Sequence, residues 1–147
     1  MYIALLKKIY DLSLTGTTIT IESLLSINIT SEQVKELIDN GLIYENRNGS
    51  FNITSVNNLF SYGKEQFLLG NKRTAQECFQ LCYRIKPKHR DTCLQLFYNA
   101  VLTRNYEEAY NFLYALENVS TNEYLRKDYK VYLYLLSQVS LCLGLIL

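Results

Sequence analysis

The sequence predicts a mainly helical protein that begins with a small mixed domain and continues as a series of helical hairpins. Three observations support this fold class. Apolar residues recur at helical spacing in most of the chain. Turn-forming residues at 46–49 separate two short segments suited to a β-hairpin. Small residues are regularly spaced along residues 56–87, which end at a proline. We therefore predict two domains, 1–55 and 56–147.

Composition excludes some classes of protein and function. With 48% hydrophobic and 20% charged residues, the chain can bury a core and is not expected to be disordered. Its net charge of +1 supplies no general attraction to nucleic acid or to an anionic membrane. The first ten residues include Lys7 and Lys8 but no long apolar run, so no secretory signal is predicted and a cytoplasmic location is expected.

The N-terminal domain is predicted to contain three helices. The first carries an apolar face and is broken by Gly16, and residues 17–20 are β-branched, which predicts a brief strand. Residues 21–25 suit a short second helix. Thr30 and Gln33 form a capping-box pattern at the start of a third helix, which Asn40-Gly41 ends. The predicted apolar faces are Leu5, Leu6, Ile9, Tyr10 and Leu12 on the first helix, and Val34, Leu37 and Ile38 on the third.

A β-hairpin is predicted to follow the third helix. Residues 42–45 read as one strand, residues 46–49 as the turn and residues 50–54 as the second strand. The order helix, strand, helix, helix, hairpin resembles the winged helix-turn-helix family, and residues 32–43 resemble its recognition helix running into the wing.

The resemblance to winged helices implies a third helix that reads DNA in the major groove. The candidate DNA contacts would be Gln33, Lys35 and Arg47. The same helix carries three acidic residues, which would repel phosphate: Glu32, Glu36 and Asp39. We therefore favour a protein-docking role for this domain, and DNA binding stays open as the alternative.

The second domain carries small and aromatic residues at a defined spacing: Leu59, Tyr62, Gly63, Gly70, Ala75, Phe79 and Pro87. This spacing resembles that of a tetratricopeptide repeat, a helix–turn–helix unit of about 34 residues. Gly63 would let the two helices approach closely, facing Ala75, and Gly70 would take the left-handed conformation of the turn. Pro87 would end the second helix.

A second, degenerate repeat is predicted to follow. Ala109 lies one full repeat after Ala75, while Phe97 and Arg104 stand where the repeat usually has glycine, and Thr121 stands at the proline position. The resemblance implies about two and a half repeats, the last one incomplete. It also implies a groove that binds a peptide or protein.

The predicted groove is mostly apolar and lacks the basic cluster that clamps a peptide carboxylate in some members of the family. It would take an apolar peptide or helix; alternatively, the same residues are packed between repeats. The groove residues implied by the resemblance are Asn57, Phe60, Lys64, Phe67, Leu94, Tyr98 and Val101, with Leu68, Asp91 and Leu102 beside them.

Cysteine and histidine do not follow a pattern typical of a metal site. Cys78, Cys82, His89 and Cys93 lack the paired short spacing of structural zinc sites. We favour the interpretation that these thiols are buried and pack as small apolar groups. No catalytic motif, metal site or cofactor is predicted.

The C-terminal segment Tyr129–Leu147 is apolar on nearly every side. We expect its far side to be covered by a second copy of the chain as a homodimer, or by a continuation of the repeat sequence, in preference to anchoring in a membrane. The sequence thus predicts a non-enzymatic interaction or scaffold protein with a regulatory role. The alternative is a bacterial transcriptional regulator with a DNA-binding winged helix and a peptide-sensing repeat domain.

Overall fold

The computed structural model describes residues 2–119. In that range the protein is mainly helical, with seven α-helices and one small antiparallel sheet. The chain forms two compact units, of which the first ends at Leu81 and the second begins at Cys82. Thr121 and the segment Tyr129–Leu147 lie outside the described residues. The elements are α1 Tyr2–Ser13, α2 Ile21–Ser26, α3 Ser31–Asp39, β1 Ile43–Glu45, β2 Phe51–Ile53, α4 Val56–Leu68, α5 Lys72–Ile85, α6 Arg90–Leu102 and α7 Tyr106–Val119.

Helix α1 packs into the first unit by the apolar face predicted for it. Ile3, Leu5, Leu6 and Ile9 are buried, and the predicted Tyr10 and Leu12 at the edge of the face are half-buried. The chain turns after the helix at Gly16, whose φ of +76° lies in the region that favours glycine.

The prediction of a strand at residues 17–20 is wrong. The segment has no regular secondary structure, although the Phe51 N–H donates to the Ile19 carbonyl at 2.8 Å. Thr20 instead begins α2, because its hydroxyl accepts from the Ser23 N–H and so caps the helix. One backbone bond to β2 does not make a ladder, so the segment is extended beside the hairpin without being a strand.

Helix α3 begins at the capping box that the sequence predicts. The Thr30 hydroxyl accepts from the Gln33 N–H, and the Gln33 Oε1 accepts from the Thr30 N–H at 2.9 Å. Val34 and Leu37 are buried, but Ile38 is 37% exposed. The prediction that Ile38 belongs to the buried apolar face is therefore wrong. One position beyond Leu37, the helix surface has already turned away from the core.

Strands β1 and β2 form the predicted hairpin. Ile43 pairs with Ile53 and Glu45 with Phe51 in an antiparallel ladder. The turn between them is closed by the Asn46 N–H, which donates to the Ser50 carbonyl at 2.7 Å. The buried side chains of this sheet, Ile43 and Phe51, face the core of the first unit.

Helices α4 and α5 form a hairpin whose turn contains Gly70, with a φ of +87° as predicted. The contact of Gly63 with Ala75 stays a prediction, and the nearest neighbours of Gly63 lie beside that position. A Cβ built on Gly63 would lie 2.7 Å from the Phe79 Cε1 and 3.1 Å from the Cys78 Sγ. The three atoms nearest to that Cβ belong to Phe79 and Cys78, one helical turn further along α5 than Ala75.

In the second unit, α6 and α7 pack against each other. Cys93, Leu96 and Phe97 of α6 are buried, as is Ala109 of α7. The rings of Tyr83 and Phe112 meet edge to face, with centroids 5.3 Å apart. Among the residues of both units that the structure describes, no helix is long and apolar enough to cross a membrane.

The two helical hairpins recur at one fixed interval along the chain. The first residues of α4 and α6, Val56 and Arg90, are separated by the same interval as their last residues, Leu68 and Leu102. The first and last residues of α5 and α7 are separated by this interval too. Corresponding helices of the two hairpins are therefore equal in length, and so are the connections between them.

The turns within the two hairpins recur at the same interval. Each turn is closed by two backbone hydrogen bonds, donated by consecutive residues to a carbonyl three and a carbonyl five positions earlier. In the first turn these bonds run from Gly70 to Phe67 at 3.1 Å and from Asn71 to Gln66 at 2.9 Å, and in the second from Arg104 to Val101 at 3.1 Å and from Asn105 to Ala100 at 2.8 Å.

Candidate functional site

The solvent-facing side of α6 carries large apolar residues. Its buried face carries Thr92, Cys93, Leu96, Phe97 and Ala100. On the opposite face, Leu94, Tyr98 and Leu102 follow one another every fourth residue, which places them in one row along the helix. Tyr98 is 42% exposed and Leu102 is 76% exposed, while Leu94 and Val101 are half-buried.

Tyr98 is partly fixed by its neighbour in sequence. The centroids of the Phe97 and Tyr98 rings are 5.6 Å apart, and Phe97 is fully buried. A buried ring therefore supports an exposed one, which limits the side-chain entropy that Tyr98 would lose on binding a partner.

Helix α4 carries the first set of predicted groove residues. Phe60 is half-buried, and its ring lies 5.3 Å from that of Phe79. The Lys64 Nζ lies 5.8 Å from the centroid of Phe60, within the range of a cation–π contact. Phe67 is 39% exposed and Asn57 is exposed.

The structure brings Phe60 and Lys64 together, and helical spacing places Phe67 on the next turn of the same side. Leu94, Tyr98 and Val101 lie separately, on α6. Leu68 and Leu102 occupy equivalent positions of the two hairpins, and both are largely exposed, at 85% and 76%.

The predicted DNA-contact residues lie on two elements. Lys35 on α3 and Arg47 in the hairpin turn are both exposed. Gln33 is half-buried, and its side-chain oxygen caps α3, so that atom is already engaged in the fold. The exposed surface of α3 also carries Glu32, Glu36 and Asp39.

A feature that the sequence reading missed is the role of His89 at the start of α6. Its Nδ1 accepts from the Thr92 N–H at 3.3 Å and lies 2.6 Å from the Thr92 Oγ1. Partial burial lowers the pKa of His89 below its ordinary 6.5; Lys86 adds to the effect and Asp91 opposes it. The spacing of His89 and Thr92 could have signalled a cap, but histidine is seldom chosen for that role.

The expected burial of thiols is confirmed for the cysteines that the structure describes. Cys78, Cys82 and Cys93 are free and buried. The Cys93 Sγ donates to the Pro87 carbonyl at 3.3 Å, and burial raises the pKa of Cys93, which keeps the thiol protonated. Between residues 2 and 119, no three His, Cys, Asp or Glu side chains are grouped so that they could hold a metal ion.

The first unit also contains an open hollow of about 390 Å³ between the α1–α2 connection and the β-hairpin. Ser13, Thr17 and Asn52 are among its lining residues, and none of the described residues that line it is charged. Asn46 and Asn48, which also line it, bond to the Ser50 hydroxyl within the hairpin turn.

Comparison of the chain with profiles of known families, with curated proteins and with solved structures finds no match.

Proposed function

We propose that the chain is a non-enzymatic protein-interaction module, with tetratricopeptide-like hairpins that follow a winged-helix-like N-terminal domain. The observation that carries the proposal is the recurrence of helix ends and turn hydrogen bonds at one fixed interval. That interval is the length of the tetratricopeptide repeat. Ala75 and Ala109, one interval apart, are both buried, in keeping with a small residue at this position of each hairpin.

The hydrogen bond between Phe51 and Ile19 supports the winged-helix-like part of the proposal. Asn46 and Thr54 donate to Ser50 and Leu42 across the hairpin, so the Phe51 N–H points away from β1. Residues 17–20 therefore lie beside β2, on the side opposite β1. This order of segments is in keeping with a winged helix in which one backbone bond stands in place of the first strand.

The partner that we propose is an apolar peptide or helix. Tyr98 and Leu102 on α6 expose large apolar surface, as do Phe67 and Leu68 on α4. An amphipathic segment could cover such a row with side chains that recur at helical spacing. The exposed acids of α3 favour a docking role for the N-terminal domain over DNA reading.

A peptide-display selection tests the proposal. Peptides that bind the whole chain should share large apolar residues, and Tyr98→Ala should weaken their binding, as measured by calorimetry. Gln80→Ala, on the exposed side of α5, is the matched control and should leave binding unchanged. Peptides that bind equally well after Tyr98→Ala would assign the interaction to another surface and remove the basis of the proposal.

A further inference from the structure

The turn between α5 and α6 is the most basic short segment of the chain. Residues 84–90 contain Arg84, Lys86, Lys88 and Arg90 and no acidic residue, although the whole chain has a net charge of only +1. Lys86 and Lys88 are exposed. The nearest acid in sequence is Asp91, which pairs with Arg90 at 3.6 Å and offsets part of the charge.

This basic turn is attached to the second unit at several points. The Lys86 N–H donates to the Cys82 carbonyl at 2.9 Å, and the His89 N–H donates to the Lys86 carbonyl at 3.0 Å. The Pro87 carbonyl accepts from the buried Cys93 thiol. These bonds fix the backbone that carries both lysines, so little backbone entropy would be lost when a partner binds their ammonium groups.

The basic turn lies at one end of the apolar row on α6. Arg90 is the first residue of the helix and stands one turn before Leu94, which begins the row. From Leu94 to Leu102 the row extends about 12 Å, at about 1.5 Å per residue. The second unit therefore presents positive charge at the N-terminal end of α6 and apolar surface along the helix.

We propose that the basic turn and the apolar row of α6 together bind a protein segment that combines apolar residues with a carboxylate cluster. The carboxylates would lie at Lys86 and Lys88, and the apolar residues along Tyr98 and Leu102. The apolar row favours a protein over a nucleic acid as the partner, because a phosphate backbone would leave its apolar side chains exposed to water. The inference rests on the proposed function and adds the charge and direction of the partner.

The test repeats the peptide selection with three forms of the full chain. One is the wild type, the second carries Lys86→Gln and Lys88→Gln, and the third carries Lys8→Gln and Lys72→Gln as a control with the same loss of charge. Lys8 and Lys72 are exposed and belong to the first unit. Peptides selected by the wild type and the control should be rich in Asp and Glu beside their apolar residues.

Affinity measurements on the most enriched peptide complete the test. The Lys86/Lys88 variant should bind it about fivefold more weakly, which is the scale of two exposed ion pairs. An analogue with Gln and Asn in place of Glu and Asp should bind all three forms alike. Selected peptides that are apolar without acids, yet depend on Tyr98, would overturn this inference and leave the proposed function standing.

Two further outcomes contradict the proposal. If no selected peptide depends on Tyr98, the proposed function fails and this inference fails with it. If a duplex DNA pool binds the wild type and loses that binding in the Lys86/Lys88 variant, the basic turn recognises nucleic acid, and the protein-segment proposal is wrong.

Discussion

Gly70 and Arg104 occupy equivalent turns of the two helical hairpins, and both adopt a left-handed backbone, with φ of +87° and +61°. The second turn keeps this geometry although it lacks glycine. A side chain in this region costs about 1 kcal/mol, because its Cβ crowds the following carbonyl. Arg104→Gly should therefore raise the free energy of unfolding by up to about 1 kcal/mol, and Gly70→Ala should lower it by a similar amount.

Denaturant unfolding measures both changes in the turns. Apart from Gly70 and its two chain neighbours, no atom of residues 2–119 lies within 4 Å of a Cβ built on Gly70, so a loss in Gly70→Ala reports backbone conformation and not a clash. Arg104→Ala is the control, because it shortens the side chain but retains the Cβ. Equal stability of Arg104→Gly and Arg104→Ala would contradict the explanation.

Gly63→Ala should destabilise the first unit by about 1–3 kcal/mol through overpacking. The new methyl would lie 2.7 Å from the Phe79 Cε1, and Phe79 is only 1% exposed, so its ring has little room to move. The cost should decrease in a Phe79→Leu background, which a double-mutant cycle would measure as a favourable coupling. Ser61→Ala, on the exposed side of α4, should change stability by less than about 0.5 kcal/mol. Additive effects of the Gly63 and Phe79 changes would show that the two residues are not in contact.

The stability of the second unit should decrease as the pH falls below 6.5. The pKa of His89 is lowered in the folded chain, chiefly by burial. Above pH 6.5 both folded and unfolded chains hold the ring neutral. Below it the unfolded chain takes up a proton first, and the loss ends once the pH is below the folded pKa. Protonation would also remove the lone pair by which Nδ1 caps α6.

His89→Asn isolates this pH effect. Asparagine is a good N-cap and does not titrate, and His89 is the only histidine of the chain. The free energy of unfolding should be measured from pH 7.5 to pH 5 for both proteins. The wild type should lose more stability over that range than His89→Asn, and parallel curves would refute the assignment.

We expect no sequence-selective DNA binding at physiological salt, because Glu32, Glu36 and Asp39 face solvent on α3. Selection from a randomised duplex pool should yield no enriched sequence. Neutralising the three acids should strengthen binding that remains unselective and decreases with added salt. An enriched site that binds below micromolar concentration, and that Arg47→Ala weakens, would establish the regulator alternative instead.

Local signals in the sequence predicted local structure well. The Thr30–Gln33 capping box and the turn at Gly70 are found where the residues place them, because each depends on atoms only a few residues apart. The packing of Gly63 against Phe79 and Cys78 depends on how two helices cross, which spacing alone does not give. The strand at residues 17–20 failed because strand pairing depends on distant residues, and the bond from Phe51 to Ile19 does not by itself make a ladder.

The candidate site was less predictable than the fold. The sequence placed Phe60 and Tyr98 on helices, but the exposure of their side chains depends on what packs against each helix. Periodicity does not show which face is buried when a helix is apolar on two sides. The cap formed by His89 and the bond from Cys93 to Pro87 are local, but histidine is seldom chosen as a cap, and a single cysteine does not signal a bond to a backbone carbonyl.

The fixed interval between the hairpins has a consequence for how such a chain can change length. In the two hairpins, each helix end and each turn bond recurs after one such interval. The insertion or deletion of one whole interval, wherever it begins in this region, would therefore leave each remaining helix with its own start and stop signals. A gain or loss of any other size would separate a cap from its helix. Evolution could therefore lengthen or shorten this region in whole hairpins, and related chains should differ in hairpin number more readily than in hairpin length.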